Sequence, residues 1–214
     1  MQKFCQENSI NHRNIPMIHS PRASFTTFLF SMLKILEPVL SIRKADVIDS
    51  IEKLEKLKKE ISSSNLTKEN PSLSLANSIS GIPLIYYPWG LQAAAIRFKN
   101  SLQENAKIHA ITEDVIEACH NGIVSWAKQS TVKPILIQGK EDYIKTKERW
   151  MILKQFFKEK KIEYYEIKSV NGNILSKLIH LIYLLDYSTI YRSVMSEIDP
   201  TPVKAIDYVK DRLG

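Results

Sequence analysis

Apolar residues recur along this chain in two periods, and the alternation of those periods predicts its elements. Phe25 to Leu36 is a mostly apolar stretch with Ser24 placed to cap it, which predicts an amphipathic, buried helix. From Lys44 to Ser62, Val47, Ile48, Ile51, Leu54, Leu57 and Ile61 return at helical spacing, while Glu52, Lys53, Lys56 and Lys59 occupy the other side. A shorter helix is predicted over roughly Leu73 to Ser80. The run IPLIYY, Ile82 to Tyr87, is apolar and β-branched and reads as a buried strand that breaks at Pro88 and Gly90.

A helix follows from about Leu91 to Gln103, with Ala93, Ala94, Ile96 and Phe98 inward and Arg97, Lys99 and Asn100 toward water. A second short helical segment is expected over Asp114 to Cys119. The strand KPILIQ, Lys133 to Gln138, leads into a helix over Tyr143 to Lys160 with Trp150, Leu153, Phe156 and Phe157 inward. Glu163 to Lys168 is the next strand, and a long apolar helix runs from Ile174 to about Ile190 with Leu175, Leu178, Ile179, Ile182 and Leu185 packed. The tail closes on a helix from about Val203 to Leu213, where Val203, Ile206, Val209 and Leu213 are expected to pack. Pro202 stands before it and Gly214 after it. Met1 to Pro21 shows no period and is expected to be irregular.

Strands separated by helices of this length imply right-handed crossovers and a parallel sheet. The fold class is therefore α/β, a three-layer parallel sheet flanked by helices on both faces. Its 214 residues suffice for one substantial core, and 44% hydrophobic with 25% charged residues is ordinary for a globular chain.

The net charge of +7 changes this picture little. The densest basic run, Lys154 to Lys161, contains Phe156 and Phe157 and reads as one helix with a buried side. Nothing interleaves basic residues with aromatic stacking platforms, so no nucleic-acid partner is expected. The apolar stretch from Phe25 to Leu40 is short and interrupted by Lys34, Glu37 and Pro38, so no membrane span is expected. The first 20 residues lack the apolar core of a signal peptide. Cys5 and Cys119 lie far apart, which suggests reduced thiols in a cytoplasmic protein. The five histidines form no closely spaced ligand pair, so no metal is expected. The sequence contains no GxGxxG, P-loop, GxSxG or HExxH.

One pair of residues carries candidate chemistry. Glu104 falls at the end of the helix after the first strand, and His120-Asn121 follows sixteen positions later at the end of the next short helix. A carboxylate and an imidazole at the ends of elements packed on a sheet are the parts of general acid-base work. The same spacing also fits a solvated helix glutamate and a hydrogen-bonded interior histidine, and Arg22, before a helix start, equally fits an exposed surface arginine.

Four segments, in order, resemble the bifunctional phosphoglucose/phosphomannose isomerases, in their C-terminal sugar-isomerase (SIS) domain. They are PRAS with its helix (Pro21 to Leu36), FKNSLQENAK (Phe98 to Lys107), EACHNGIVSW (Glu117 to Trp126) and DPTPVKAIDYVK (Asp199 to Lys210). The resemblance implies an SIS-like, flavodoxin-like fold and an aldose-ketose isomerisation of glucose or mannose 6-phosphate to fructose 6-phosphate. In that reaction a carboxylate moves a proton between C2 and C1 through a cis-enediol, with no cofactor.

By the same resemblance Glu104 matches the base, and His120 matches a ring-opening histidine supplied by the partner subunit. Arg22 matches the arginine that steadies the enediolate, and Lys210 the lysine that shares in ring opening, with Lys204 a second candidate. Asn121 and Thr201 are candidates for contacting substrate. Gln103 and Gly122 depart from the residues usual in the family. Residues 1–43 would be the linker and helix that normally follow the family's N-terminal SIS domain, and 44–214 a single C-terminal SIS-like domain. The implied partners are a sugar phosphate and either a second copy or an N-terminal SIS-domain subunit. The alternative is a non-catalytic sugar-phosphate-binding or regulatory module.

Overall fold

The computed structural model describes residues 1–16 and 19–213 and divides into two compact units, Met1–Lys44 and Ala45–Gly214. Among its described residues the first holds two helices, α1 (Gln2–Glu7) and α2 (Phe25–Leu36). Helix α1 lies in a stretch expected to be irregular, and Cys5 is its one buried residue. Helix α2 has the predicted bounds, but none of its residues is buried. Ser24 does not cap it: its hydroxyl donates instead to the His19 carbonyl at 3.1 Å. Met17 and Ile18, in the predicted irregular stretch, lie outside the described residues.

Among its described residues the second unit carries four strands, β1 (Ile82–Tyr87), β2 (Ile111–Asp114), β3 (Val132–Gln138) and β4 (Tyr165–Lys168), all parallel in the order β2-β1-β3-β4. Its helices are α3 (Lys44–Ile61), α4 (Pro71–Ser78), α5 (Gln92–Glu104), α6 (Val115–Ala118), α7 (Ile144–Glu159), α8 (Ile174–Met195) and α9 (Lys204–Leu213). Several begin with local signals the sequence displays. Asn70 accepts from the Leu73 N–H ahead of Pro71, Asn173 from Ser176, and Asp114 from Ile116, each satisfying a donor that the helix leaves unpaired.

Strand β2 is the element that the apolar pattern does not announce. It is an edge strand, and ITED places only partly buried or exposed side chains on the sheet. Its pairing with β1, Leu84 with Ile111 through Tyr87 with Asp114, makes it a strand.

The chain moves outward from β1 to β2 and then crosses back to β3 and β4. With right-handed crossovers, that reversal puts α5 on one face of the sheet and the β2–β3 and β3–β4 connections on the other. Side-chain alternation agrees. Leu84, Tyr86 and Leu136 join Val115, Ala118, Trp126, Trp150, Leu153 and Phe157 in one cluster, covered by α6, the short 3-10 turn Gly122–Ala127 and α7. Helices α4, α5 and α8 cover the opposite face, where Tyr165 of β4 donates to Ser74 of α4 at 3.0 Å. Among the described residues of this unit the three-layer α/β architecture is as the pattern predicts.

Within it, inward positions differ from expectation in three helices. In α3 only Ser50, Leu57 and Ile61 are buried, while Ile48 and Ile51 are nearly half exposed. In α5 the buried side is Ala94, Ala95, Phe98, Ser101 and Leu102, leaving Ile96 exposed. Arg97 is not a water-facing residue, because it pairs with Asp186 of α8. In α9 the residues expected to pack, Ile206, Val209 and Leu213, are exposed, and no residue of the helix is buried. The expected cap at Gly214 lies outside the described residues.

Candidate functional site

Glu104 is the last residue of α5, and the geometry of that helix end defines the site. The helix starts beyond the C-terminal end of β1 and returns along the sheet, so its last turn lies at the N-terminal end of the strands. Asn105 is buried there and donates to the Thr189 hydroxyl of α8 at 2.8 Å. Ser101 and Arg97 bind Asp186 one and two turns up the same helix pair. The end of α5 is thus fixed to α8 from its inner side, leaving Gln103 and Glu104 on the outer side.

That outer side is one wall of a groove of about 650 Å³. Its lining is Asn100, Gln103, Glu104 and Lys107 from α5 and its end, with Pro202 to Ile206 opposite. The volume is within the range of small-ligand sites, and the far wall is largely apolar: Pro202, Val203, Ala205 and Ile206. Two ammonium groups, Lys107 and Lys204, belong to the same lining as the carboxylate. The arrangement suits an anionic polar ligand held beside a carboxylate that one wall shields from water.

Of the two C-terminal lysine candidates, Lys204 lines this groove. Lys210 stands six residues further along α9, about 240° round the helix, and is exposed. Thr201 precedes the groove wall; its N–H donates to Asp199 Oδ1 at 2.8 Å, which holds the Asp199 carboxyl below the usual carboxylate range. Lys107, which motif reading leaves without a role, is the further residue that the structure brings to Glu104. Its Nζ donates to the Glu104 carbonyl at 2.5 Å and to the Pro202 carbonyl at 2.7 Å.

His120 and Asn121 are elsewhere in the unit. They follow β2 and α6, past the strand's C-terminal end, and α6 packs on the sheet face opposite to α5. Four residues of β2, about 13 Å at strand rise, and the sheet itself separate this turn from the end of α5. Both residues are exposed, so His120 is no interior histidine. Their backbone N–H groups donate to the Glu117 carbonyl at 3.0 and 2.8 Å. The turn is acidic: Glu113, half buried, has its carboxyl pushed up by burial and then by the neighbouring Glu117. The Glu113 oxygens sit 2.7 Å from where a Cβ on Gly122 would be, so a side chain at 122 would displace them.

Arg22 belongs to the first unit, in the turn before α2, and is partly buried. Among the described residues, no three or more His, Cys, Asp or Glu side chains gather as a metal site. No helix there is long and apolar enough to cross a membrane.

A parallel sheet with strand reversal at β1, helices on both faces and a groove at a helix-end carboxylate describes a doubly wound α/β protein with a small-ligand site. A family model for the bacterial phospho-glucose isomerase C-terminal SIS domain matches residues 68–213, and the chain belongs to that family. It is 27% identical over 225 residues to a bifunctional phosphoglucose/phosphomannose isomerase of Caldicellulosiruptor bescii, covering all of this chain and 66% of the relative. A protein of the same name from Aquifex aeolicus is 25% identical over 220 residues, again across the whole chain and 64% of the relative. The chain therefore spans slightly under two thirds of these relatives' length.

Solved structures agree on the fold. A glucose-6-phosphate isomerase-like protein from Thermus thermophilus superposes with a TM-score of 0.67 at 14% identity, over 86% of this chain and 60% of that one. Tagatose-6-phosphate ketose/aldose isomerase from Escherichia coli gives 0.61 at 12% identity, over 83% and 50%.

Proposed function

We propose that this chain is a sugar-phosphate aldose-ketose isomerase, or the C-terminal half of one, interconverting glucose or mannose 6-phosphate with fructose 6-phosphate. The observation that carries the reading is the position of Glu104 on the wall of the groove, in a chain whose family and full-length relatives are isomerases by name. Glu104 takes the proton from C2 of the open-chain aldose and returns it to C1, through a cis-enediol. A base needs a firmly held backbone and one dry side, and the α5 end pinned to α8 with an apolar opposite wall supplies both.

His120 acts in ring opening from a second copy of the chain. Within one chain it stands beyond the opposite end of β2 from Glu104, so one copy completes the other's site. Lys210 or Lys204 shares the ring-opening step, Arg22 steadies the enediolate charge, and Asn121 and Thr201 contact the sugar. A further SIS-domain subunit that brings a phosphate-binding loop is the other partner this scheme admits. The reaction needs no cofactor, and the two free thiols suit a cytoplasmic compartment.

The test is a coupled assay of fructose 6-phosphate to glucose 6-phosphate with the purified chain and with Glu104→Gln. Activity that falls at least about a hundredfold in the variant is expected for loss of a general base. A second reading, a sugar-phosphate-binding module without turnover, draws on the distance of His120 from the groove. Binding of fructose 6-phosphate without exchange of the sugar's C2 proton into solvent would establish that reading instead.

A further inference from the structure

Helix α5 stops in an unusual way. Three residues past Glu104, Lys107 has φ of +57°, a left-handed conformation that a residue bearing a Cβ adopts only at a cost. Glycine is the common occupant of such a helix-ending position. Ile108 N–H then donates to the Leu102 carbonyl at 3.2 Å, closing the helix end. Glycine would make this reversal without strain but would carry no side chain. Lysine here does something that glycine does not.

Its side chain bridges the Glu104 carbonyl, at 2.5 Å, and the Pro202 carbonyl, at 2.7 Å. The first contact places a cation on the terminal carbonyls of a helix, where the dipole favours it. The second reaches 95 residues along the chain to the segment that forms the far wall of the groove. Helix α9 buries no residue, so apolar burial does not set its position. Upstream, the Ser193 hydroxyl on the Ile198 carbonyl and Thr201 N–H on Asp199 order the tail's own turn.

We propose that Lys107 is a positioning residue: it ties Pro202, and with it Val203 and Lys204, to the end of α5, and so sets the width of the groove beside Glu104. The tie stands on the geometry alone, and its effect on turnover rests on the isomerase reading. The left-handed backbone at 107 closes the helix end, and from that position the side chain reaches both carbonyls.

The experiment compares the full chain with Lys107→Met, Lys107→Gly and Lys107→Arg by hydrogen exchange of backbone amides and by steady-state kinetics. Methionine keeps the length and the backbone cost but removes the donor; glycine relieves the backbone and also removes the donor. Both should raise exchange over residues 201–213 at least about fivefold while leaving the strands unchanged, and Arg should restore protection. With fructose 6-phosphate, the Met and Gly variants should lose about tenfold or more in kcat with a smaller change in KM, and the Arg variant should recover most of it. Unchanged exchange in the Met and Gly variants overturns the tie. Raised exchange with unchanged kcat overturns its role in positioning. If the unmutated chain has no turnover either alone or with an N-terminal SIS-domain subunit, the isomerase reading fails, while the exchange data still decide whether Lys107 holds the tail.

Discussion

Arg97 of α5 grips Asp186 of α8 with two donors on one oxygen, Nε at 2.9 Å and Nη2 at 2.6 Å, while Ser101 donates to the other oxygen at 2.7 Å. Burial pushes the Asp186 carboxyl up, and Arg97 and Ser101 pull against that. The pair joins the helix that ends in Glu104 to the helix that leads into the opposite groove wall. Arg97→Ala should cost about 3 kcal/mol, since it leaves a largely buried carboxylate without its cation. Arg97→Met combined with Asp186→Leu should recover most of that loss. Urea midpoints of the single and double variants check it, and a double variant no more stable than Arg97→Ala would show that the pair's charge is not what matters.

If the catalytic groups come from two copies, two defective chains should repair one another. Glu104→Gln and His120→Ala, each inactive alone, should on mixing and reassociation regain about a quarter of the unmutated activity. Random pairing makes half the dimers mixed, and each mixed dimer holds one intact site of two. Mixtures that stay as inactive as their components would exclude a site shared in this way.

His180 of α8 has its pKa lowered from 6.5 to about 4 by burial and then by the charge of Lys53. Its Nδ1 is buried without a hydrogen-bond partner. The folded state therefore holds the ring neutral, while the unfolded chain takes up a proton below about pH 6.5. Stability from this group is complete above that pH and is lost as pH falls from 6.5 toward 4, with a limiting slope of about 1.4 kcal/mol per pH unit. Denaturant midpoints between pH 7 and pH 4 should fall less steeply for His180→Leu than for the unmutated chain. Parallel curves would rule His180 out as the cause.

Gly81 enters β1 with φ of +57°, and a Cβ there would lie 2.0 Å from the Thr131 carbonyl oxygen, a backbone atom. The same carbonyl accepts from Ile82 N–H at 3.2 Å, the first bond of the β1–β3 ladder. Gly81→Ala should cost about 2–4 kcal/mol, combining backbone strain with a displaced central strand. Thermal unfolding measures it; a loss below about 0.5 kcal/mol would mean that the strand start yields freely.

What could be read from residues alone follows the physics of each signal. Runs buried on both faces, such as IPLIYY and KPILIQ, are almost continuously apolar because a central parallel strand meets helices on either side. Strand β2 escapes that reading because an edge strand is covered on fewer sides, and ITED carries an exposed isoleucine and two acids. The β-branched pair Ile111-Thr112 ahead of the capping Asp114 was the local sign of it. Helix α9 shows the opposite failure. Its apolar spacing is strong, but periodicity states only that one side of a helix is apolar, and here no side of it is buried in the chain.

The sequence by itself determined the parallel α/β class, the central strands, most helix bounds and the presence of Glu104 and His120 at the ends of elements. These depend on local periods, caps and breakers, which act over a few residues. Only the tertiary structure decided that Glu104 and His120 stand at opposite ends of a strand and on connections that cover opposite faces, because the pairing that makes ITED a strand and the reversal at β1 are both set between distant parts of the chain. It also decided that Lys107 and Lys204, rather than Lys210, share the groove with Glu104. A contact between residues 107 and 202 is set by how α5 and α8 pack, and no spacing along the chain encodes it.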